Sequence, residues 1–245
     1  MNKILFLAGV HGDEPDAPNI LKKLKENNEL TNADFFIANP KALKLNKRFV
    51  ALDMNRNAPG SLKSNKYESR QVIKVLKKAQ KYQFVIDLHG SKGQQGVFTI
   101  IPKLTIRTLF LSLSLPVKRI LIWPYNPNTK RGPIMKFINC GVGIEFGPKE
   151  TPAIQAQVLK VIKTIDEEGF NFGLDKSDKE IYFVYDRVRK VPDISLFKDF
   201  QEIEFNGEKF YPCFIGAYRG IAFYKTRKIE LDDLLKEKLN FERQK

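Results

Sequence analysis

The 245-residue sequence has few cysteines, few histidines and no long apolar run. Two cysteines, Cys140 and Cys213, cannot build a disulfide framework. We expect them to be buried apolar side chains in a reducing compartment, which favours a cytoplasmic protein. No apolar stretch reaches the roughly 18 to 20 residues that a membrane helix needs. The short apolar segment Ile4–Val10 runs into His-Gly-Asp-Glu without a small-residue cleavage site, so we interpret it as a first β-strand rather than a secretory signal.

Acidic residues are scarce relative to basic ones. The sequence has 28 Asp and Glu against 42 Lys and Arg, a formal net charge of +14 with both histidines neutral. The lysines are spread over predicted helices, as at Lys22, Lys23 and Lys25, which is more typical of solvated helix faces than of a nucleic-acid-binding surface. The positive charge still favours anionic ligands.

Apolar runs alternate with amphipathic segments along the first two thirds of the chain, which predicts an α/β fold. Phe84–Leu88 and Val142–Phe146 are predicted as buried strands. Beyond residue 170 the composition shifts to Phe, Tyr, Val and Ile, with an Asn-Gly turn signal at 206–207. We therefore predict a larger α/β domain at 1–170 and a smaller, β-rich C-terminal domain at 176–245.

The only two histidines each follow a predicted strand. His11 is followed three residues later by Glu14, and His89 ends the run Phe-Val-Ile-Asp-Leu-His. The carboxyl ends of parallel strands meet at one edge of a sheet, where ligands bind in open α/β proteins. Two imidazoles and one carboxylate, with a fourth position for water, form a recurring catalytic zinc set. This conjunction favours a metal site over structural histidines, although the same donors also accept Mn²⁺, Fe²⁺ or Co²⁺.

Two further segments carry polar residues suited to catalysis. Arg48, Asn55 and Arg56 lie in a predicted loop, where they match a substrate that carries a carboxylate and a reaction that develops an oxyanion. Glu145 lies in a glycine-flanked apolar strand, where desolvation would raise its pKa and suit it to proton transfer. The alternative for Glu145 is a structural carboxylate paired with an arginine.

These motifs together resemble the succinylglutamate desuccinylase/aspartoacylase family, relatives of the zinc carboxypeptidases. They occur in the family's order and approximate spacing over roughly residues 4 to 150. The motifs are Gly-Val-His11-Gly-Asp-Glu14, Asn39-Pro40, Arg48 with Asp53-Met-Asn55-Arg56, Asp87-Leu-His89 and Ile-Glu145-Phe-Gly-Pro.

The resemblance implies a zinc-carboxypeptidase-like catalytic domain, a mixed sheet flanked by helices, followed by a smaller β-rich domain that narrows access to the site. It also implies one zinc ion per chain, held by His11, Glu14 and His89. Asp87 would then orient a zinc-binding histidine from behind.

The implied reaction is hydrolysis of the amide bond of a small N-acyl amino acid. Arg48 would polarise the scissile carbonyl, Asn55 and Arg56 would hold the α-carboxylate of the substrate, and Glu145 would be the general acid and base.

The sequence departs from the family at one position. Aspartoacylases carry an arginine upstream of the Glu-x-Gly-Pro motif, and this arginine recognises the acidic side chain of the substrate. Met135 stands at the usual distance, and Arg131 is the nearby candidate to replace that arginine. Tyr218 and Tyr224 are both candidates for the tyrosine that reaches the site from the C-terminal part. We assign Tyr224 to substrate binding, with a core or surface aromatic as the alternative.

Two other functions fit the sequence less well. The same site would serve a zinc carboxypeptidase or amidase that acts on a peptide or cell-wall fragment, since Asn55 and Arg56 would hold any terminal carboxylate. A basic nucleic-acid-binding protein with a vestigial site is the non-enzyme alternative, but an intact ligand set argues against decay. We expect a small-molecule substrate, with no nucleic-acid or membrane partner. The sequence leaves the oligomeric state open, including a homo-oligomer.

Overall fold

The computed structural model describes residues 3–93, 95–124, 129–170 and 178–236. Ten strands are present in these residues: β1 Ile4–Ala8, β2 Ala33–Ile37, β3 Phe84–Gly90, β4 Gly96–Ile101, β5 Arg119–Ile122, β6 Gly141–Gly147, β7 Glu180–Val188, β8 Ile203–Phe205, β9 Glu208–Cys213 and β10 Phe223–Ile229. The α-helices are α1 Asp16–Glu26, α2 Pro40–Lys44, α3 Met54–Asn57, α4 Tyr67–Ala79, α5 Ile106–Ser114 and α6 Pro152–Glu168, and residues 231–236 are helical as well. Short 3₁₀ helices cover Ile134–Phe137 and Ile194–Leu196.

The strands form a mixed sheet in the order β2-β1-β3-β6-β4-β5-β7-β10-β9-β8. Strands β2, β1, β3 and β6 run parallel, so their carboxyl ends lie at one edge. Strand β4 is antiparallel to β6, and β5 is parallel to β4. The mixed α/β fold predicted from the alternating pattern is confirmed.

Both faces of the sheet are covered by helices, which explains why its central strands read as continuous apolar runs. On one face, Phe6, Ile86 and Val142 pack with apolar side chains from α1 and α6. On the other, Leu5 and Leu7 pack with the buried stripe of α4. The functional residues described below lie at the carboxyl edge of this doubly covered sheet.

The C-terminal strands continue the main sheet. Strand β7 pairs in parallel with β5, with Ile181 opposite Ile120, and β10, β9 and β8 follow as an antiparallel series. A shared apolar cluster joins the two parts through Phe98 of β4, Leu121 of β5 and Phe214 beyond β9. The division at 170–176 stays a prediction, and residues 171–177 and 237–245 lie outside the described part of the chain.

Cys140 and Cys213 are both free and buried, as the low cysteine count predicts. Within the described ranges, every helix is too short or too polar to cross a bilayer. The cytoplasmic location stays a prediction.

Candidate metal and catalytic site

Three strands bring the candidate residues together at the carboxyl edge of the sheet. His11 and Glu14 lie in the loop between β1 and α1, and His89 is on β3. Glu145 on β6 is the register partner of His89, directly across from it. The sequence-based expectation that both histidines reach this edge therefore agrees with the geometry.

The loop after β1 depends on a close approach between two backbones. A Cβ atom on Gly12 would lie 2.1 Å from the carbonyl carbon of Ala42 in α2, so only glycine fits there. The Gly12 N–H donates to the carbonyl oxygen of Arg48 at 3.2 Å. This contact ties the loop that carries His11 and Glu14 to the segment that carries Arg48.

His11, Glu14 and His89 form a buried group whose ligand atoms all lie within 4.8 Å of one another. The residues are only 4, 6 and 7% exposed, respectively. Nδ1 of His11 lies 2.7 Å from Oε1 of Glu14, and Nδ1 of His89 lies 3.1 Å from Oε2 of the same carboxylate. Two imidazole nitrogens and one carboxylate facing one point are a donor set that fits Zn²⁺.

Burial and charge act against each other within this group. Burial alone would lower the pKa of His11, but the Glu14 and Asp53 carboxylates outweigh it and the pKa is raised. Burial alone would also lower the pKa of His89, yet the Asp87 and Glu14 carboxylates raise this pKa well above its usual value. The pKa of Glu14 is lowered, because the two imidazoles outweigh its burial. The site therefore stabilises positive charge, which a bound cation would also provide.

A second carboxylate lies behind each imidazole. Asp87 Oδ2 is 2.8 Å from Nε2 of His89, the contact that the motif predicted for Asp87. Asp53 Oδ1 is 3.2 Å from Nε2 of His11. The sequence did not predict this contact, although Asp53 belongs to the Asp53-Met-Asn55-Arg56 motif. When each Nε2 donates to its carboxylate, both Nδ1 lone pairs face Glu14. This is the orientation that a metal-binding histidine needs.

The candidate substrate-binding residues occupy the rim of this group. Nη2 of Arg48 donates to Asp53 Oδ2 at 3.3 Å, and its Nη1 lies 3.6 Å from Oε1 of Glu14. Nδ2 of Asn55 lies 3.1 Å from Nε2 of His89, and its Oδ1 accepts a bond from the Ile134 N–H at 3.1 Å. Arg56 is exposed, and its Nη1 donates to the Asn55 carbonyl oxygen at 3.0 Å.

Glu145 lies beside the candidate metal-binding group and has a perturbed pKa. Burial, together with the charge of Glu14, raises the pKa of Glu145 to about 7 against the opposing charge of His89. A carboxyl group with a pKa near neutrality can both accept and donate a proton at physiological pH. This environment matches the desolvation that the glycine-flanked strand predicted.

The structure separates the two tyrosine candidates. Burial and the charge of Glu145 raise the pKa of Tyr218, whereas Arg56 lowers it, so the Tyr218 phenol lies within electrostatic range of both. The Tyr224 ring packs on Trp123 with centroids 4.5 Å apart and lies 5.7 Å from the Tyr218 ring. The assignment of Tyr224 to substrate binding stays a prediction, and Tyr218 stays the other candidate.

Met135 and Arg131 differ sharply in their surroundings. Met135 is buried in the apolar cluster beneath α4 and presents no polar group to the site. Arg131 is exposed, and its Nη1 donates to Asn57 Oδ1 at 3.4 Å, at the end of α3 that follows Asn55 and Arg56. Arg131 thus remains the candidate for recognition of an acidic side chain.

Solved structures share this architecture. Murine aminoacylase 3 matches with a TM-score of 0.74 and 20% identity, over 93% of this chain and 95% of that chain. The succinylglutamate desuccinylase from Chromobacterium violaceum matches with a TM-score of 0.71 and 16% identity, over 94% and 85%. The chain therefore has the α/β fold of these two structures, with a His–Glu–His group at the carboxyl edge of its sheet.

The sequence comparisons match the same family that the motifs resemble. The model of the succinylglutamate desuccinylase/aspartoacylase catalytic domain matches residues 1–110. A probable aspartoacylase from Trichodesmium erythraeum is 28% identical over 225 residues, which are 81% of this chain and 75% of that protein. One from Prochlorococcus marinus is 25% identical over 64% of this chain, and the match spans only 57% of that relative. The resemblance to the succinylglutamate desuccinylase/aspartoacylase family that was drawn from the motifs is confirmed by the match of its catalytic-domain model and by these relatives.

A further relative carries a different substrate in its name. The N-acyl-aromatic-L-amino acid amidohydrolase (carboxylate-forming) of Xenopus laevis is 23% identical over 196 residues, which are 70% of this chain and 64% of that protein. The names of the matched relatives therefore refer to an acidic amino acid in one case and to aromatic amino acids in the other.

Proposed function

We propose that the protein is a zinc-dependent hydrolase that cleaves the amide bond of an N-acyl amino acid. The observation that carries the proposal is the buried His11–Glu14–His89 group with both Nδ1 atoms facing one carboxylate. The matched relatives support the reaction class, since they are named as an aspartoacylase and as an N-acyl-aromatic-L-amino acid amidohydrolase.

The donor set fits zinc, and His11, Glu14 and His89 would hold it. Zinc, when bound, supplies a Lewis acid that makes water nucleophilic near neutral pH. Asp53 and Asp87 keep the two imidazoles in the tautomer that leaves Nδ1 free to bind.

The proton transfers fall to Glu145. Its carboxylate accepts a proton from the attacking water and delivers it to the amine nitrogen of the departing amino acid. A pKa of about 7 suits both steps, because neither the protonated nor the ionised form is strongly favoured at neutral pH.

Arginines at the rim bind the carboxylate of the substrate and the oxyanion that develops during the reaction. Arg48, already beside Glu14, donates to the acyl oxygen as charge develops on it. Arg56 and Asn55 bind the α-carboxylate, and the Asn55 carbonyl oxygen accepts a hydrogen bond from Nη1 of Arg56. Arg131 would add recognition of an acidic substrate side chain.

The test is release of free amino acid from a panel of N-acetyl and N-succinyl amino acids with acidic, aromatic and small side chains. We expect zinc-loaded protein to hydrolyse at least one of them and a chelator to abolish the release. His89→Ala should lose stoichiometric zinc binding, because one ligand is gone. Glu145→Gln should keep zinc and lose turnover by about 10²- to 10⁴-fold, the range of general acid–base catalysis.

Two results would contradict the proposal. Stoichiometric zinc without release from any panel member would shift the function to a peptide or cell-wall substrate, which the panel can be extended to include. Full activity of Glu145→Gln, or full activity of wild type in chelator, would refute the mechanism.

A further inference from the structure

Glu68 is a fully buried carboxylate that lies outside the metal-binding group. It is in the first turn of α4, and its exposed fraction is 0%. Its oxygens accept hydrogen bonds from three consecutive backbone N–H groups: Val50 at 2.6 Å, Ala51 at 3.1 Å and Leu52 at 3.3 Å. Successive amides that surround one anion in this way form a strong, geometrically defined clamp.

Asn39 connects the same carboxylate to α2. Its side-chain oxygen accepts a bond from the Ala42 N–H at 3.2 Å and so caps α2, while its Nδ2 donates to Oε1 of Glu68 at 3.5 Å. Asn39 belongs to the Asn39-Pro40 motif, which the proposed mechanism does not otherwise use. Asn39 and Glu68 are both completely buried, so the contact is shielded from water.

The clamped segment contacts the site at both of its ends. On one side is Arg48, whose carbonyl oxygen accepts the Gly12 N–H and whose side chain faces Glu14. On the other is Asp53, which lies behind His11. Residues 48–53 belong to neither a helix nor a strand, so a regular backbone ladder does not fix their position. The three bonds to Glu68 supply that constraint.

We propose that Glu68 is a positioning residue for the hydrolysis, because its carboxylate clamps residues 50–52 and thereby holds Arg48 and Asp53 against the site. The inference rests on the proposed function, in which Arg48 donates to the substrate oxygen. A displacement of about 1 Å of such a group can cost about 10²-fold in rate.

The chain offers a matched control in Asp166. This carboxylate on α6 is 2% exposed and also accepts bonds from three consecutive backbone N–H groups, those of residues 31–33. The clamp that it forms lies at the start of β2, at the sheet edge opposite to His11 and His89. Asp166→Asn therefore disturbs the same kind of clamp without disturbing the site.

The experiment compares Glu68→Gln and Asp166→Asn with wild type, on the best substrate of the panel. Glutamine keeps the size of the side chain but replaces one acceptor oxygen by an amide group that cannot accept from a backbone N–H. We expect kcat/KM, normalised to bound zinc, to fall at least tenfold in Glu68→Gln and to stay within twofold in Asp166→Asn. Values within twofold of wild type for both variants would overturn the proposal.

A double-mutant cycle with Arg48→Ala separates positioning from loss of folded protein. If Glu68 acts through Arg48, Glu68→Gln should cost less than about threefold in the Arg48→Ala background, because the group to be positioned is absent. An equal loss in both backgrounds would mean that Glu68 does not position Arg48, and would overturn the proposal.

Hydrogen exchange gives a readout that does not depend on activity. The amides of residues 50–52 should lose protection in Glu68→Gln and keep it in Asp166→Asn, with β1 and β3 protected in both. Unchanged protection at 50–52 would refute the clamp itself. If wild type hydrolysed nothing, the proposed function would fail while the exchange data still decided whether the clamp exists.

Discussion

Gly12 lies between His11 and Glu14 in the loop that follows β1. Its α-carbon packs against the backbone of α2, where an added Cβ would meet the carbonyl carbon of Ala42 at 2.1 Å and its oxygen at 2.2 Å. Both atoms are backbone, so a rotamer change cannot relieve the overlap. The absence of a side chain at residue 12 therefore allows the loop to lie close to α2. This position of the loop brings His11 and Glu14 next to His89.

Gly12→Ala should move the loop away from α2, because the overlap is with backbone. We expect a loss of about 2 kcal/mol or more in the free energy of unfolding and weaker zinc binding, measured by urea titration and by zinc titration. Gly143→Ala is the control, since a Cβ there would find its nearest neighbour at an ordinary 3.7 Å. Equal zinc affinity in Gly12→Ala and wild type would show that the loop adapts.

At the scale of elements, the segment between the 3₁₀ helix Ile194–Leu196 and β8 carries an unusual carboxyl group. Asp199 Oδ1 accepts a bond from the Ile215 N–H at 3.1 Å. Burial raises the pKa of Asp199 from 3.8 to about 6, although the Ile215 and Phe214 N–H groups and the charge of Arg119 act in the opposite direction. The folded protein thus binds this proton more tightly than the unfolded chain does.

The sign of the pH dependence follows from that difference. The contribution of Asp199 to stability is greatest below about pH 4 and falls as the pH rises through 6, because the ionised form is disfavoured by folding. Asp199→Asn should therefore be more stable than wild type at pH 7, by on the order of 1 kcal/mol, with the difference shrinking towards pH 5. Urea titrations at pH 5, 6, 7 and 8 measure it.

Asp193→Asn is the control for this series. Asp193 is exposed, and the Ser195 hydroxyl and N–H lower its pKa, so its ionisation is complete well below pH 5. Its variant should show no change in relative stability between pH 5 and 8. A pH-independent or destabilising effect of Asp199→Asn over the same range would contradict the expected burial of charge.

The elements that carry the candidate ligands could be predicted because their signals are local. The apolar runs before His11 and His89 predict strands β1 and β3, and a parallel sheet brings their ends together. Asp53 and Glu68 could not be assigned in the same way. Asp53 contacts a residue 42 positions away and Glu68 contacts amides 16 to 18 positions away, so their roles depend on how α3 and α4 pack.

At the scale of the whole molecule, a single sheet extends from β2 to β8 across the predicted domain division. The sequence predicts the β-rich character of the C-terminal part, since aromatic and β-branched residues favour strands. It does not predict that β7 pairs with β5, because this register joins residues about 60 positions apart and leaves no local pattern. Leu121 of β5 and Tyr182 of β7 pack in a common apolar cluster, and this packing stabilises the long-range pairing of the two strands.

The continuous sheet predicts that the two parts unfold together. The sequence places one thiol in each, Cys140 directly before β6 and Cys213 at the end of β9, both buried. Both should become reactive to N-ethylmaleimide at the same urea concentration, as resolved by peptide mass spectrometry, because cooperative units expose their cores together. Midpoints that differ clearly would show two independently folding domains, as the division at 170–176 predicts.

Trp123, the only tryptophan in the sequence, follows β5 within the aromatic cluster next to the site. Its indole lies 4.5 Å from the Tyr224 ring and 6.3 Å from the Tyr218 ring, measured between centroids. The Tyr218 phenol, in turn, is within the field of Glu145 and Arg56. The protein therefore contains a single tryptophan that can be excited selectively and that one ring, Tyr218, separates from the field of Glu145 and Arg56. We expect its emission to change when substrate binds, without an added label.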